Sequence, residues 1–286
     1  MDITGNMRTD LASEAHRLLK NGRRDLGPLP GLETEEETKD GFSVFRVLVL
    51  DDRGSQTIGK PRGSYCTLEA ERFFPRGDER FPAQAEALAA EIRAMLGTAE
   101  GTTLVAGLGN RDVTPDAVGP EAARYVFPTR HLKLAGNPLF AAFSDVAVCT
   151  PGVLASSGVE SASQIAALCR ELRPARVVVF DALAGADPGR LCRCVQLTDA
   201  GIAPGSGVGN DRAALSRESL GVPVLAIGVP TVVDAGCFGE EALRGWFVTP
   251  KDIDESIRCA ARLLGYAMDL ALHLGLRVED VASLLE

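Results

Sequence analysis

Histidine is scarce: His16, His131 and His273 stand isolated in 286 residues, so a serine triad or a multi-histidine metal site is short of parts. No GxSxG elbow occurs. Ser156 and Ser157 read as loop or helix-cap hydroxyls rather than nucleophiles. The seven cysteines, Cys66, Cys149, Cys169, Cys192, Cys194, Cys237 and Cys259, contain no CxxC pair, so neither a regular zinc site nor a disulfide framework is indicated and they read as small buried hydrophobes. Cys192 and Cys194, at i and i+2 in LCRCVQL, are expected on one face of a strand as a core pair. Positive charge is also short: 30 Lys and Arg against 39 Asp and Glu leave a net charge of −9, without the broad positive field that draws proteins to nucleic acid or anionic membranes. No apolar run approaches the roughly 20 residues of a membrane helix. The start, MDITGNMRTD, has no apolar signal region. The expectation is a cytoplasmic protein with no direct nucleic-acid or membrane contact.

What is present is the composition of a globular chain, 45% apolar and 24% charged, long enough to bury a full core. Residues 1–40 hold a helix-like piece, DLASEAHRLLK, then NGRRDLGPLPG and the acidic run ETEEETKDG, which reads as an N-terminal appendage and linker with a polar surface. From residue 41 to the end, the pattern is that of one domain. FRVLVLDD, TLVAGLGN, DVAVCTPG, ARVVVFDA and VPVLAIGVP are β-branched apolar runs bounded by turn residues, the signature of buried strands. Helical periods lie between several of them, in PAQAEALAAEIRAML and SASQIAALCREL. This alternation predicts an α/β fold, a mainly parallel sheet with helices on both faces. DIDESIRCAARLLGYAMDLALHLG predicts a closing helix, and no internal repeat is found.

In such sheets, functional groups collect where strands end at their carboxyl edge. TLVAGLGN runs into RDVTPDAVGP, and ARVVVFD into ALAGADPG, so Asp116 and Asp181 both fall at or just past a strand end. Burial disfavours the charged form of such an acid, and a second carboxylate nearby raises one pKa further while the other stays ionised. One ionised and one protonated carboxyl can hydrolyse an amide, the first taking a proton from water and the second donating to the carbonyl. Either Asp alone could instead cap a helix or hold a turn, and sequence spacing does not show that they meet. GSGVGN, residues 205–210, carries Asn210 where a dinucleotide loop has its third glycine, and reads as a tight loop near the crevice.

These motifs resemble the germination protease family of bacterial spores, endopeptidases that degrade small acid-soluble spore proteins. GLGNRDVTPDAVGP is similar to that family's central motif, and TPGVLASSGVES, FDALAG, DAGIAPGSGVGN, LGVPVLAIGVPTVVDA and FVTPKDID follow in the family's order. The resemblance spans almost the whole chain. It implies an aspartic-type mechanism with a catalytic pair at Asp116 and Asp181, no cofactor and no metal. It also implies a homotetramer, a location in the forespore and spore core, and a fold similar to that of the hydrogenase-maturation endopeptidases. Those enzymes hold nickel, and a metal-dependent alternative would need His131 as a further ligand. A noncatalytic binding module is a third alternative. Ala203 replaces a histidine common in the family's GIHPGSG loop. Glu160, Asp199 and Asp234 lie in matched motifs, where they would line the cleft or hold turns.

Thr9-Asp10-Leu11-Ala12-Ser13-Glu14 resembles the TE(I/F)ASE pattern at which that family cuts its substrates. Relatives are made as zymogens that cut at such a site, so the resemblance implies a propeptide of residues 1–10, cleavage between Asp10 and Leu11, and a protease domain over 41–286. Without the resemblance, the same residues read as a helix start, with Thr9 or Asp10 as cap.

Overall fold

The computed structural model describes residues 9–22, 29–98, 100–206, 209, 212–239 and 241–285. Its first elements are α1 (Ala12–Gly22), β1 (Leu32–Lys39), β2 (Phe42–Val49), α2 (Asp52–Ile58), β3 (Gly63–Glu69) and α3 (Phe81–Leu96). β4 (Thr103–Gly107), α4 (Val118–Ala123), α5 (Arg130–Leu134), β5 (Val146–Cys149), α6 (Leu154–Ser157), α7 (Ser161–Leu172) and β6 (Arg176–Gly185) follow. The chain continues with β7 (Cys194–Thr198), α8 (Arg217–Leu220), β8 (Val224–Asp234), β9 (Phe247–Val248), α9 (Ile253–Leu272) and α10 (Val278–Leu285). No helix among the described residues is long and apolar enough to cross a membrane.

All the strands join one sheet, ordered β1-β2-β3-β7-β8-β6-β4-β5, with β9 on β8. β5, β4, β6 and β8 run parallel. β1, β2, β3 and β7 extend the sheet with antiparallel pairings. This is the expected α/β class, with an antiparallel extension that the strand pattern did not foretell.

Side chains alternate across the sheet because successive Cβ atoms point to opposite faces. Val105, Val178 and Phe180 pack with Phe42, Val44 and the apolar sides of α3, α4 and α9 in one core. Leu104, Ala106, Val177 and Val179 face the other way, against Ile165 and Cys169 of α7. On β2, Val47 and Val49 pack with Ala12 of α1 and Ile58 of α2. Helices therefore cover both faces. α9 buries one face in its first half, through Ile257, Ala260, Ala261 and Leu264, and is buried on all sides from Leu263 to Leu272.

Two expectations are corrected. Residues 11–40 are not an appendage and linker: α1 packs into a core cluster, and the acidic run forms β1, paired with β2 from Leu32↔Val49 to Lys39↔Phe42. Its polarity suits an edge strand, where charge blunts pairing with other chains, and Arg46 lies 2.7 Å from Glu37. Cys192 is not in a strand with Cys194, because its φ of 54° puts it in a left-handed turn before β7. The expected closing helix is α9, and a further helix, α10, follows it after a turn in which Gly275 takes φ 91°.

Two features of the parallel half position the crevice. β6 pairs with β4 only as far as Gly107↔Phe180, yet it continues along β8 to Gly185↔Val233. Beyond Phe180, β6 thus has a free edge on the β4 side. α4 also approaches the strand ends closely: a Cβ on Gly119 would lie 2.1 Å from the Leu108 carbonyl and 2.6 Å from that of Phe180. Gly119→Ala is expected to cost about 1–3 kcal/mol through overpacking, read as a lower urea midpoint at unchanged m-value.

Candidate active site

A cavity of about 500 Å³ opens at the carboxyl ends of β4 and β6, and both Asp116 and Asp181 line it. The two acids come from separate segments, Asp116 from the loop after β4 and Asp181 from within β6, which continues to Gly185 instead of ending at the acid as expected. Asp116 sits on a single 3₁₀ turn, Thr114–Asp116, between β4 and α4. That loop folds back tightly: a Cβ on Gly109, where φ is 117°, would lie 2.0 Å from the Asp116 carbonyl. The fold-back lets the Asn110 amide donate to Asp116 Oδ2 at 2.7 Å.

Asp181 is the first residue of the β6 overhang and is 4% exposed. Its Oδ1 accepts the Ala182 amide at 3.0 Å. Leu108, Val113, Pro115, Val153 and Val232 supply apolar wall, and Arg212 a cation. Burial, then the Asp116 charge, push Asp181 well above the ordinary carboxylate range. Burial also raises Asp116, opposed by the Asn110 amide and by Arg212. Each acid has one amide and the field of Arg212, so the deeper burial of Asp181 and the neighbouring Asp116 charge make Asp181 the one that more strongly favours its neutral form, a division suited to one acid and one base.

The segment around Asp10 occupies the same crevice. Asp10 lines the cavity with the acid pair and docks on the free edge of β6. Its amide donates to the Ala184 carbonyl at 2.9 Å, and its Oδ2 accepts the Ala184 amide at 2.9 Å. The Ser206 hydroxyl donates to Asp10 Oδ1 at 3.1 Å. Gln196 brackets the Asp10–Leu11 bond, donating to the Asp10 carbonyl at 3.0 Å and accepting the Ala12 amide at 2.7 Å. Leu11 is fully buried. The helix-start reading is also met locally, since Thr9 Oγ1 accepts the Leu11 amide. Residues 1–8 of the expected propeptide lie outside the described residues.

Other sequence candidates have structural tasks. Asp234 accepts the Gly236 and Gly245 amides, and Asp199 accepts that of Ser64. Glu160 immediately precedes α7. None of the three lines the cavity. Ser156 and Ser157 donate to the Val153 carbonyl, as loop hydroxyls. His131 lies on α5 and away from the cavity lining, and among the described residues no three His, Cys, Asp or Glu side chains are grouped to hold a metal ion. In GSGVGN, Gly205 lines the cavity and Ser206 meets Asp10, whereas 207, 208 and 210 lie outside the described residues. Sequence reasoning missed Arg212, which lines the cavity, and Lys60, Gln196 and Arg190, which meet residues 9–13, since each comes from a remote segment without a motif that marks it.

The model of the germination protease family matches residues 10–244, a span that contains both acids and most of the cavity wall. The chain belongs to that family. The germination protease of Caldanaerobacter subterraneus subsp. tengcongensis is 34% identical, with 100% of both chains covered. That of Clostridium perfringens is 32% identical over 98% of this chain and 99% of its own. A Bacillus mycoides relative reaches 39% over 80% of this chain and 64% of its own. Among solved structures, a NiFe hydrogenase maturation protease from Thermococcus kodakarensis is similar with a TM-score of 0.36 and 20% identity, covering 62% of this chain and 98% of that one. Family membership makes the chain a protease.

Raised acids link the site to stability. A carboxyl with a higher pKa in the folded state stabilises the fold fully below its unfolded pKa, and that contribution is lost as pH rises from there through the folded value. Asp181→Asn removes this loss and keeps an acceptor for the Ala182 amide. The variant should be more stable than wild type at pH 7, with the gap closing toward pH 4; urea unfolding across that range measures it.

Proposed function

We propose that this protease is an endopeptidase made as a zymogen, which degrades small acid-soluble, DNA-binding spore proteins during germination. In this reading it acts as a homotetramer in the cytoplasm of the forespore and spore core. The observation that carries the mechanism is the convergence of Asp116, from the loop after β4, and Asp181, from within β6, on one cavity that the Asp10 segment also lines.

Water attacks the scissile carbonyl while ionised Asp116 takes one of its protons and protonated Asp181 donates to the carbonyl oxygen. As the tetrahedral intermediate collapses, the proton on Asp116 passes to the departing amine and Asp181 recovers a proton from a hydroxyl of the intermediate. The products are a carboxylic acid and an amine, and both aspartates return to their starting states. The titration belongs to the pair, with burial and mutual charge holding the two carboxyls apart in pKa.

Incubation with a small acid-soluble spore protein tests the reading. Asp116→Asn and Asp181→Asn should each lower cleavage by about 10²-fold or more, whereas a noncatalytic binding module would retain its function in both. Chelator should leave the rate unchanged; its loss, and its return with nickel or zinc in a protein that stays folded, would replace this mechanism with a metal-dependent one.

The Asp10 contacts support self-cleavage at Asp10–Leu11, which would remove a segment that fills part of the crevice. After activation, N-terminal sequencing of wild type should read LASEAHRL, and Asp181→Asn should retain MDITGN or its Met-trimmed form. Cleavage of the inactive variant alone would assign the cut to another protease.

A further inference from the structure

The loop between β7 and α8 reaches the active cavity from a neck closed by main-chain bonds. The Ile202 amide donates to the Leu215 carbonyl at 2.9 Å, and the Leu215 amide donates back to Ile202 at 2.8 Å. Gly201, with φ 82°, lets the two limbs meet, because a Cβ there would lie 2.4 Å from the Leu215 carbonyl. Leu215 is fully buried. From this neck, Pro204 and Gly205 on one limb and Arg212 on the other line the cavity with Asp116 and Asp181. Arg212 lies just before the buried anchor in sequence, so the neck sets where its side chain starts.

The charged groups on the cavity wall are Asp10, Asp116, Asp181 and Arg212. Among the described residues, Arg212 is its one cation. An adjoining cavity shares Asp10 and Asp181 and adds Lys60 and Tyr65. Lys60 Nζ donates to the Thr9 carbonyl at 2.7 Å, with its charge matched by Asp10 and Glu14, and the Tyr65 hydroxyl donates to the Pro61 carbonyl at 2.8 Å. Burial pushes both Asp116 and Asp181 toward their neutral forms, whereas the Arg212 charge pulls both back. A buried pair with no cation gains from taking up a second proton. It would then hold an acid and no base. One cation with two carboxyls and a single proton makes a neutral set, so Arg212 favours the state in which one carboxyl is ionised.

We propose that Arg212 is the positioning residue that keeps the pair singly protonated, holding the charge on Asp116 while Asp181 carries the proton. It acts through the carboxyls and need not touch substrate. Activity requires Asp116 ionised and Asp181 protonated, so the first sets the acid limb of the rate profile and the second the alkaline limb. Removing a nearby cation makes both carboxyls hold protons to higher pH, and both limbs therefore move the same way. The proposal rests on the proteolytic reading above and names the group that poises its acid pair.

Two measurements on the full chain test it, with Arg212→Met and Arg212→Lys. The first is kcat/KM against pH on a small acid-soluble spore protein. Relative to wild type, Arg212→Met should lose about tenfold more on the acid limb than on the alkaline limb, and Arg212→Lys should return both limbs toward their wild-type positions. An equal loss at every pH, or limbs that stay in place, would overturn the assignment, since a group that grips substrate or shapes the loop changes the height of the profile and not its position. The second measurement needs no activity: urea unfolding from pH 4 to 8 of the uncut chain, verified by intact mass. Carboxyls that hold protons to still higher pH in the folded state give up more stability as pH rises. The wild type's advantage over Arg212→Met in folding equilibrium constant should therefore grow by about tenfold across that range, and the growth should vanish when both proteins also carry Asp116→Asn and Asp181→Asn. Growth that persists without the two carboxyls, or a gap independent of pH, would overturn the assignment. The unfolding signature in a wild type that cuts nothing would remove the proteolytic reading while the hold of Arg212 on the pair stands.

Discussion

The crevice depends on a mismatch in strand length. β4 leaves the sheet at Gly107 while β6 continues to Gly185, so a strand in the middle of the sheet becomes an edge along its last stretch. Unpaired amides and carbonyls on such an edge must find partners. Asp181 opens the overhang and Ala184 lies within it, so the group suited to proton transfer and the main chain that holds a peptide belong to one rigid element. Holding both on a strand fixes their spacing more firmly than two loops would.

That arrangement concentrates negative charge. Asp10, Asp116 and Asp181 share one cavity in a chain of net charge −9, and the apolar wall strengthens their mutual repulsion by excluding water. The compensations differ. Asp10 has an amide and a hydroxyl, Asp116 and Asp181 each have one amide and the field of Arg212, and Asp181 has the deepest burial. Neutralising Asp181 is the least costly way to hold the three together. The same inequality that limits repulsion separates the two catalytic candidates into a proton donor and a proton acceptor.

The sequence made the parallel half and its acids legible because both leave local signals: β-branched runs between turn residues, and an Asp just past a run. It misrepresented residues 32–39, because an edge strand bearing Glu33, Glu35, Glu36 and Glu37 has no buried face to give a period. β1 is set by pairing with β2 and by charge partners such as Arg46, none of which is local in sequence. Cys192 shows the opposite failure, since its alternation with Cys194 is regular while a left-handed residue breaks the strand. The acids were visible, but the groove was not. Gln196 and Ser206 meet Asp10 across 186 and 196 residues of chain, and no spacing rule connects them.

The bulge in β6–β8 ties these elements together. Leu183 pairs with Pro230 and Ala184 with Val232, so Thr231 is an extra residue opposite the docking point. Proline has no amide to give a ladder, and a bulge bends a strand and sharpens its local twist. The register shift falls beside Ala184, whose amide and carbonyl both bond Asp10. The overhang is thereby held by β8 on one side yet shaped for a peptide on the other. A β4 extended past Gly107 would satisfy the same groups permanently and close the groove. Ending β4 early leaves an edge that Asp10 pairs with in the intact chain, and under the proposed self-cleavage, hydrolysis of the Asp10–Leu11 bond would open it.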